Sequence, residues 1–280
     1  MKNYIWIYLT VLLSIFTSCE KDNMQYIGPD GVYFGVRDFG NSVDSLGPFQ
    51  PSSRVDFMLK NTIQYSYKVP ILLAGSIKNY DRQFKVSVDA DSSSLESGKH
   101  YTELKDSYIL PAGAHQTWVS IDFFATQDLE LSEKRLVLKI IETSDLIPAF
   151  TMWDPPIDIG GIKPAEKMDA SRHTIFVSNM MIPPVNWLGG VLTNGEEQGD
   201  LGVFTRLKME FITENLGISY SEFMDEEKMS FLRLILIGQE MSRILVKRFN
   251  EGNPVIEEDG RLMYAGNVPW KSFIGIPYRP

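Results

Sequence analysis

Gln116-Thr-Trp-Val-Ser-Ile-Asp-Phe-Phe124 decides the fold. Thr117, Val119, Ile121 and Phe123 fall on one side of an extended chain; Gln116, Trp118, Ser120 and Asp122 fall on the other. Strand side chains alternate between faces, so this stretch predicts a strand with one buried and one wet face. The same period runs outward in both directions. Val55, Phe57 and Leu59 alternate with Arg54, Asp56 and Met58, and Val69, Ile71 and Leu73 with Lys68, Pro70 and Leu72. Phe84, Val86 and Val88 alternate with Lys85, Ser87 and Asp89, Leu136, Leu138 and Ile140 follow, and residues 171–178 read as a last strand. Turn-rich stretches at 74–81 and 91–99 break the series, which predicts an antiparallel β-sandwich over residues 31–182. Pro70 inside a strand pattern predicts an edge or a bulge.

Residues 144–165 hold Pro148, Pro155, Pro156, Pro164 and Gly160-Gly161 without a period, and read as a connector. After Pro183-Pro184 the period changes. Phe204, Leu207 and Phe211 mark one helix face. Asp225-Glu226-Glu227 after Ser221, and Lys247-Arg248 before Asn250 and Gly252, complement the ends of a helix dipole. Gly238 is expected to break that span in two, and Leu234–Ile237 reads as helix, with a buried strand as the alternative. Val255-Ile256 and Leu262–Tyr264 flank Glu258-Asp259-Gly260 as a small hairpin. Residues 183–280 are therefore expected to form a mainly helical domain with a β-hairpin.

The chain of 280 residues carries 27 Lys+Arg against 36 Asp+Glu, a formal charge of −9, which argues against nucleic acid as a partner. Its hydrophobic content of 44% and charged content of 22% are those of a globular protein. One cysteine excludes a disulfide framework. That cysteine, Cys19, follows Met-Lys-Asn, an apolar run from Tyr4 to Phe16, and Thr17-Ser18. As a helix the run spans about 20 Å, short of the roughly 30 Å hydrocarbon layer, so residues 1–18 read as a signal peptide and not as a membrane span. Cys19 at the cleavage point resembles a bacterial lipobox, which implies lipidation of Cys19, a tether over residues 19–30 and a membrane partner through the lipid anchor. Glu20-Lys-Asp-Asn23 resembles the surface-export signal of Bacteroidota lipoproteins.

A wider resemblance rests on Val69-Pro-Ile-Leu-Leu-Ala-Gly75, Tyr80-Asp-Arg82, Gly98-Lys-His-Tyr101, Ile109-Leu-Pro-Ala-Gly113 and the Leu-rich strand at 135–141. Their order is similar to a family of Bacteroidota surface lipoproteins catalogued as domain of unknown function 4843, with a Calx-beta or immunoglobulin-like sandwich. Trp187, Leu201–Lys208 and residues 250–260 resemble the C-terminal part of the same family. The resemblance implies a lipid-anchored outer-membrane protein at the cell surface; it implies no reaction.

His100, His115 and His173 share no metal-ligand spacing, and no nucleophile elbow, Walker loop or dinucleotide fingerprint occurs. No catalytic residue, metal or cofactor is therefore expected. Asp89 and Asp91 read as one strand step apart on one face, a weak pattern for calcium; Glu196-Glu197 and Glu257-Glu258-Asp259 read as solvated turn acids. Trp118 is more informative. A tryptophan on a polar strand face, beside Gln116 and Asp122, is covered by the C-terminal domain or the connector, or is a platform on which a sugar ring stacks, or is an ordinary surface residue. Trp153, Trp187 and Trp270 read as loop anchors. The expected function is a non-enzymatic accessory subunit that binds glycan or a partner beside outer-membrane transporter subunits, as in polysaccharide utilisation. A structural or adhesion scaffold is the alternative, and a glycoside hydrolase, which needs two convergent acids in a cleft, comes last.

Overall fold

The computed structural model describes residues 28–37, 47–154 and 167–279. Cys19, the signal region, the charged stretch at 20–23 and the Pro155–Pro164 part of the connector lie outside the described residues. In chain order the strands are β1 (Gly31–Phe34), β2 (Ser52–Asp56), β3 (Gln64–Ala74), β4 (Arg82–Val88), β5 (Tyr108–Leu110), β6 (Gln116–Phe124), β7 (Lys134–Ile141), β8 (Ile147–Pro148), β9 (Arg172–Ser178), β10 (Gly190–Val191) and β11 (Glu197–Gln198). The helices are α1 (Phe57–Lys60), α2 (Asp128–Leu131), α3 (Arg206–Leu216), α4 (Tyr220–Phe223) and α5 (Phe231–Asn250).

Two sheets face each other. One has the order β6-β3-β1-β8, the other β2-β9-β7-β4-β5. The alternating apolar residues of both sheets form one core, in which Val69, Ile71, Val119, Ile121 and Phe123 meet Phe84, Val86, Leu136, Leu138 and Ile175. The expected all-antiparallel pairing is corrected at two edges. β1 pairs with β8 in parallel, Gly31 opposite Ile147, and β2 pairs with β9 in parallel, Ser52 opposite Thr174. β8 lies inside the stretch read as a plain connector. Its ladder survives Pro148 because Ile147 N–H bonds Asp30 O (3.2 Å) and Ala149 N–H bonds Val32 O (2.9 Å), so the missing proline donor falls on the other side.

Other local expectations shift for identifiable reasons. β3 is an interior strand, so Pro70 marks neither an edge nor a bulge; it sits where β1 runs out, its carbonyl accepting from Gly35 N–H (2.9 Å). The strand at 54–59 stops at Asp56, whose Oδ1 accepts from Leu59 N–H (3.1 Å) and caps α1. Leu59 is consequently exposed.

The chain after Pro184 builds a second core of Leu201, Met209, Ile212, Phe223, Leu234, Ile237, Met241 and Met263. Thr205 caps α3, Ser219 and Glu222 close a capping box on α4, and Ser230 caps α5. Phe204 therefore precedes its helix, and Asp225-Glu226-Glu227 lies between α4 and α5 instead of opening a long helix. Lys247 and Arg248 do occupy the last turn of α5, and 234–237 is helical. The hairpin is a single Ile256–Leu262 bridge flanked by Met263 N–H to Val255 O (2.9 Å). This half meets the sandwich at one end, where Arg206 Nη2 donates to Asn179 O (2.6 Å) and Tyr220 OH donates to Ile182 O (3.0 Å).

Gly238 does not break α5. The helix runs through it because a Cβ there would lie 2.6 Å from Asp200 O, so glycine lets the 200 loop approach the helix backbone. Alanine is the better helix former by about 1 kcal/mol, yet forcing that contact costs about 1–3 kcal/mol. Urea unfolding of Gly238→Ala is expected to show a net loss of up to about 2 kcal/mol, and a stabilised variant would contradict the close approach.

Candidate functional site

β6 is an edge strand, which gives its outer face room. Across from it on β3, Leu72 pairs with Gln116, Pro70 with Trp118, Lys68 with Ser120 and Ser66 with Asp122. With Val119, Ile121 and Phe123 committed to the core, alternation sends Gln116, Trp118, Ser120 and Asp122 outward together. Trp118 keeps 44% of its surface exposed, Ser120 is exposed, and Gln116 and Asp122 are half-buried. The three residues singled out from the sequence therefore share one face, and Trp118 is exposed there.

Further across the same sheet the outer face is closed. Tyr33, opposite Leu72, packs edge-on against Phe150 (5.0 Å between centroids) and Trp153 (5.5 Å). Phe49 meets Trp153 at 4.7 Å, and the Arg37 guanidinium lies 3.6 Å over the Phe49 ring. Trp153 is thus a loop anchor, as expected. Trp187 and Trp270 are anchors too: Trp187 Nε1–H donates to Gly202 O (2.8 Å) and Trp270 Nε1–H to Met263 O (3.1 Å). Trp118 has no side-chain hydrogen bond or ring contact among the described residues.

The structure gathers titratable groups that the sequence kept apart. Glu96, His100 and Asp128 hold possible ligand atoms within 4.8 Å of one another. Here, however, the Asp128 carboxylate already faces Lys134 and Lys99, whose hydrogen bonds, with Thr126, hold its pKa far below the usual range. His100 Nδ1 accepts from Glu96 N–H (2.9 Å) and Nε2 bonds Asp128 Oδ2 (3.0 Å), so both ring nitrogens are committed. Two ammonium groups fill the cation's place, and the cluster reads as a salt-bridge knot tying the 96–102 loop to α2.

Asp89 and Asp91 do not share a strand face, because β4 ends at Val88 and Ala90–Ser92 is a 3-10 turn. Asp89 is paired with Arg172, which keeps its carboxyl below the ordinary range. That removes the free acid a calcium site would use.

Reading all the paired glutamates as solvated turn acids is corrected. Glu197 and Glu257 are 3% and 2% exposed, and Lys208 between them is fully buried. Lys208 Nζ donates to Glu197 Oε1 (3.1 Å) and Val203 O (2.9 Å) and lies 3.6 Å from Glu257 Oε1. Arg261 Nε donates to Glu197 Oε2 (3.1 Å), and Thr205 Oγ1 to Glu257 Oε2 (2.8 Å). Burial pushes Glu257 up and Lys208 down; Glu197, equally buried, ends below its ordinary value because Lys208 and three hydrogen-bond donors outweigh the burial. The cluster ties β11, the first turn of α3 and the 255–263 hairpin together. Sealed from solvent, its two carboxylates cannot flank a glycosidic bond. Acids at 197 and 257 give no sequence signal of a shared partner at 208.

His173 is also buried. Its Nε2 bonds Ser53 Oγ (2.9 Å), Nδ1 has no partner, and burial holds the pKa at about 3. The unfolded imidazole titrates near ~6.5, so between those values the unfolded chain binds a proton that the folded chain does not. Stability is then complete above about pH 6.5 and falls on acidification by about 1.4 kcal/mol per unit from this group. Unfolding free energies from pH 7 to pH 4 should fall less steeply in His173→Gln; an identical slope would assign the acid sensitivity elsewhere.

Comparison with known proteins adds a family over the sandwich. The family described as "Domain of unknown function (DUF4843)" matches residues 50–155, from just before β2 to just past β8. The resemblance read from the residues holds over that stretch. No curated protein matches the chain. Among solved structures, a protein of unknown function from Bacteroides ovatus is 15% identical, with a TM-score of 0.31 over 52% of this chain and 43% of that one. A multidomain protein including DUF1735 from Bacteroides ovatus is 17% identical, with a TM-score of 0.31 over 52% and 44%. A third Bacteroides ovatus protein of unknown function is 18% identical, with a TM-score of 0.29 over 58% and 48%. This chain spans less than half the length of each.

Proposed function

We propose that this chain, which carries the domain of unknown function DUF4843 over residues 50–155, is a non-enzymatic lipoprotein of the outer membrane. It is held at the cell surface through Cys19 and binds glycan as an accessory subunit of a nutrient-uptake system. A saccharide ring stacks on Trp118, and Gln116 and Asp122 bond its hydroxyls. The observation that carries this reading is the contrast among the tryptophans: Trp153, Trp187 and Trp270 are pinned by ring contacts or indole hydrogen bonds, while Trp118 is exposed on a polar face. An exposed rigid ring offers apolar area at small entropic cost, and neighbouring amide and carboxylate groups supply direction. Among the described residues no helix is long and apolar enough to cross a membrane, so the tether in this reading is the lipid.

A scaffold role without a small ligand is favoured by one feature, the exposed row Phe231, Leu232 and Leu236 on α5. Titration of the mature chain with soluble polysaccharides separates the two. Trp118→Ala should weaken glycan binding by about 2 kcal/mol, roughly thirtyfold in Kd, while stability stays within about 0.5 kcal/mol of wild type. Loss of stability with binding unchanged would make Trp118 a packing residue. Cys19→Ser should shift the protein out of the membrane fraction.

A further inference from the structure

The C-terminal half carries a cleft of about 560 Å³ between the end of α5, the 254–260 hairpin and the chain terminus. Its lining is Phe249, Gly252, Pro254, Ile256, Gly260 and Tyr278, with no charged side chain among them. A volume in the range of about 300–1,000 Å³, largely apolar walls and a few polar groups are the marks of a small-molecule site. The walls are set in advance. Phe249 stacks on Trp270 at 5.0 Å and 29° and meets Tyr278 edge-on at 6.0 Å, while Trp270 is itself fixed by its indole bond to Met263 O. Gly252, at φ +75°, has nothing within 4 Å of where a Cβ would stand, so its backbone is open, whereas Gly260, at φ +86°, lies against Pro277.

The polar groups fall short of partners on one side. The carbonyls of Gly252 and Pro254 accept no hydrogen bond from the described residues, whereas Arg248 O, Phe249 O, Val255 O and Gly260 O all do. The Tyr278 hydroxyl, on a half-buried ring, also has no partner among the described residues. Carbonyls without a protein donor call for donors from a ligand or solvent. An uncharged lining disfavours an ion, which would lose its hydration without compensation. What fits is a neutral molecule with one flat apolar face and several hydroxyl donors.

We propose that this cleft is a second saccharide site, taking a single neutral pyranose unit of an oligosaccharide on Phe249 and Tyr278, with hydroxyls donated to the Gly252 and Pro254 carbonyls. Its ligand class rests on the glycan reading above; its residues share nothing with Trp118. The test is amide and indole NMR of the mature chain titrated with maltohexaose, cellohexaose and mannohexaose, and with indole as an apolar control. At least one oligosaccharide should saturably shift residues 249–260 and Tyr278. Trp118→Ala should leave those shifts in place, and Tyr278→Phe, which keeps the ring, should weaken them several-fold. Ile256→Trp, which fills the cleft from its exposed rim, should abolish them with the rest of the spectrum preserved. Shifts confined to residues 116–122 would overturn the cleft and leave the Trp118 reading standing. Shifts at 249–260 from indole alone would overturn the saccharide assignment, and no shift from any hexasaccharide at either place would overturn both.

Discussion

A strand can bury only one of its faces, and in this molecule that constraint fixes everything downstream. The core takes Val119, Ile121 and Phe123 from β6 and Val69 and Ile71 from β3, interleaved with Phe84, Leu136, Leu138 and Ile175 from the opposite sheet. A slip of one residue in β6 would bury Trp118, Ser120 and Asp122 and expose three core residues, a cost of several kcal/mol at about 1.5–3 kcal/mol for each large apolar side chain. The exposure of Trp118 is therefore a consequence of the core. It requires no special local structure beyond an open edge, which the order β6-β3-β1-β8 supplies.

Polar burial has the complementary role of holding loops and elements at fixed places. The His100–Asp128 knot joins a loop to the helical turn before β7, and the Lys208 cluster joins α3 to the hairpin through two glutamates and an arginine. Such groups contribute little net stability against well-packed apolar residues, but removing one partner strands the rest in a medium that cannot solvate them. They fix which segments meet. The two candidate surfaces lie apart from them: the Trp118 face is free of buried ion pairs, and the C-terminal cleft has no charged lining.

What could be read from the sequence followed from periodicity. Alternation of period two located β3, β4, β6, β7 and β9 and placed Gln116, Trp118 and Asp122 on one face. The change of period after Pro184 marked α3 and the 234–248 part of α5, but neither their starts nor α4. What could not be read depended on contacts distant in the chain. β8 is two residues long, too short for a period, and exists because β1 offers it a parallel ladder. Gly238 looks like a helix breaker in isolation and becomes a packing residue only once Asp200 lies against it. Glu197 and Glu257 have the local look of turn acids, and their burial is decided by Lys208 and Arg261 from other segments. Asp56 caps α1 inside a stretch whose alternation of Val55, Phe57 and Leu59 reads as continuous strand. The cleft at Phe249 and Tyr278 brings together residues almost thirty positions apart and has no linear signature.

In the function proposed above, the uncovered face of β6 is where this protein meets its ligand. Indole Nε1–H resonances test it most directly, because each tryptophan reports its own surroundings. On addition of a bound polysaccharide, the Trp118 cross-peak should move and saturate while those of Trp153 and Trp187, both held by protein contacts, stay in place. A stationary Trp118 peak beside demonstrable polysaccharide binding would contradict the claim.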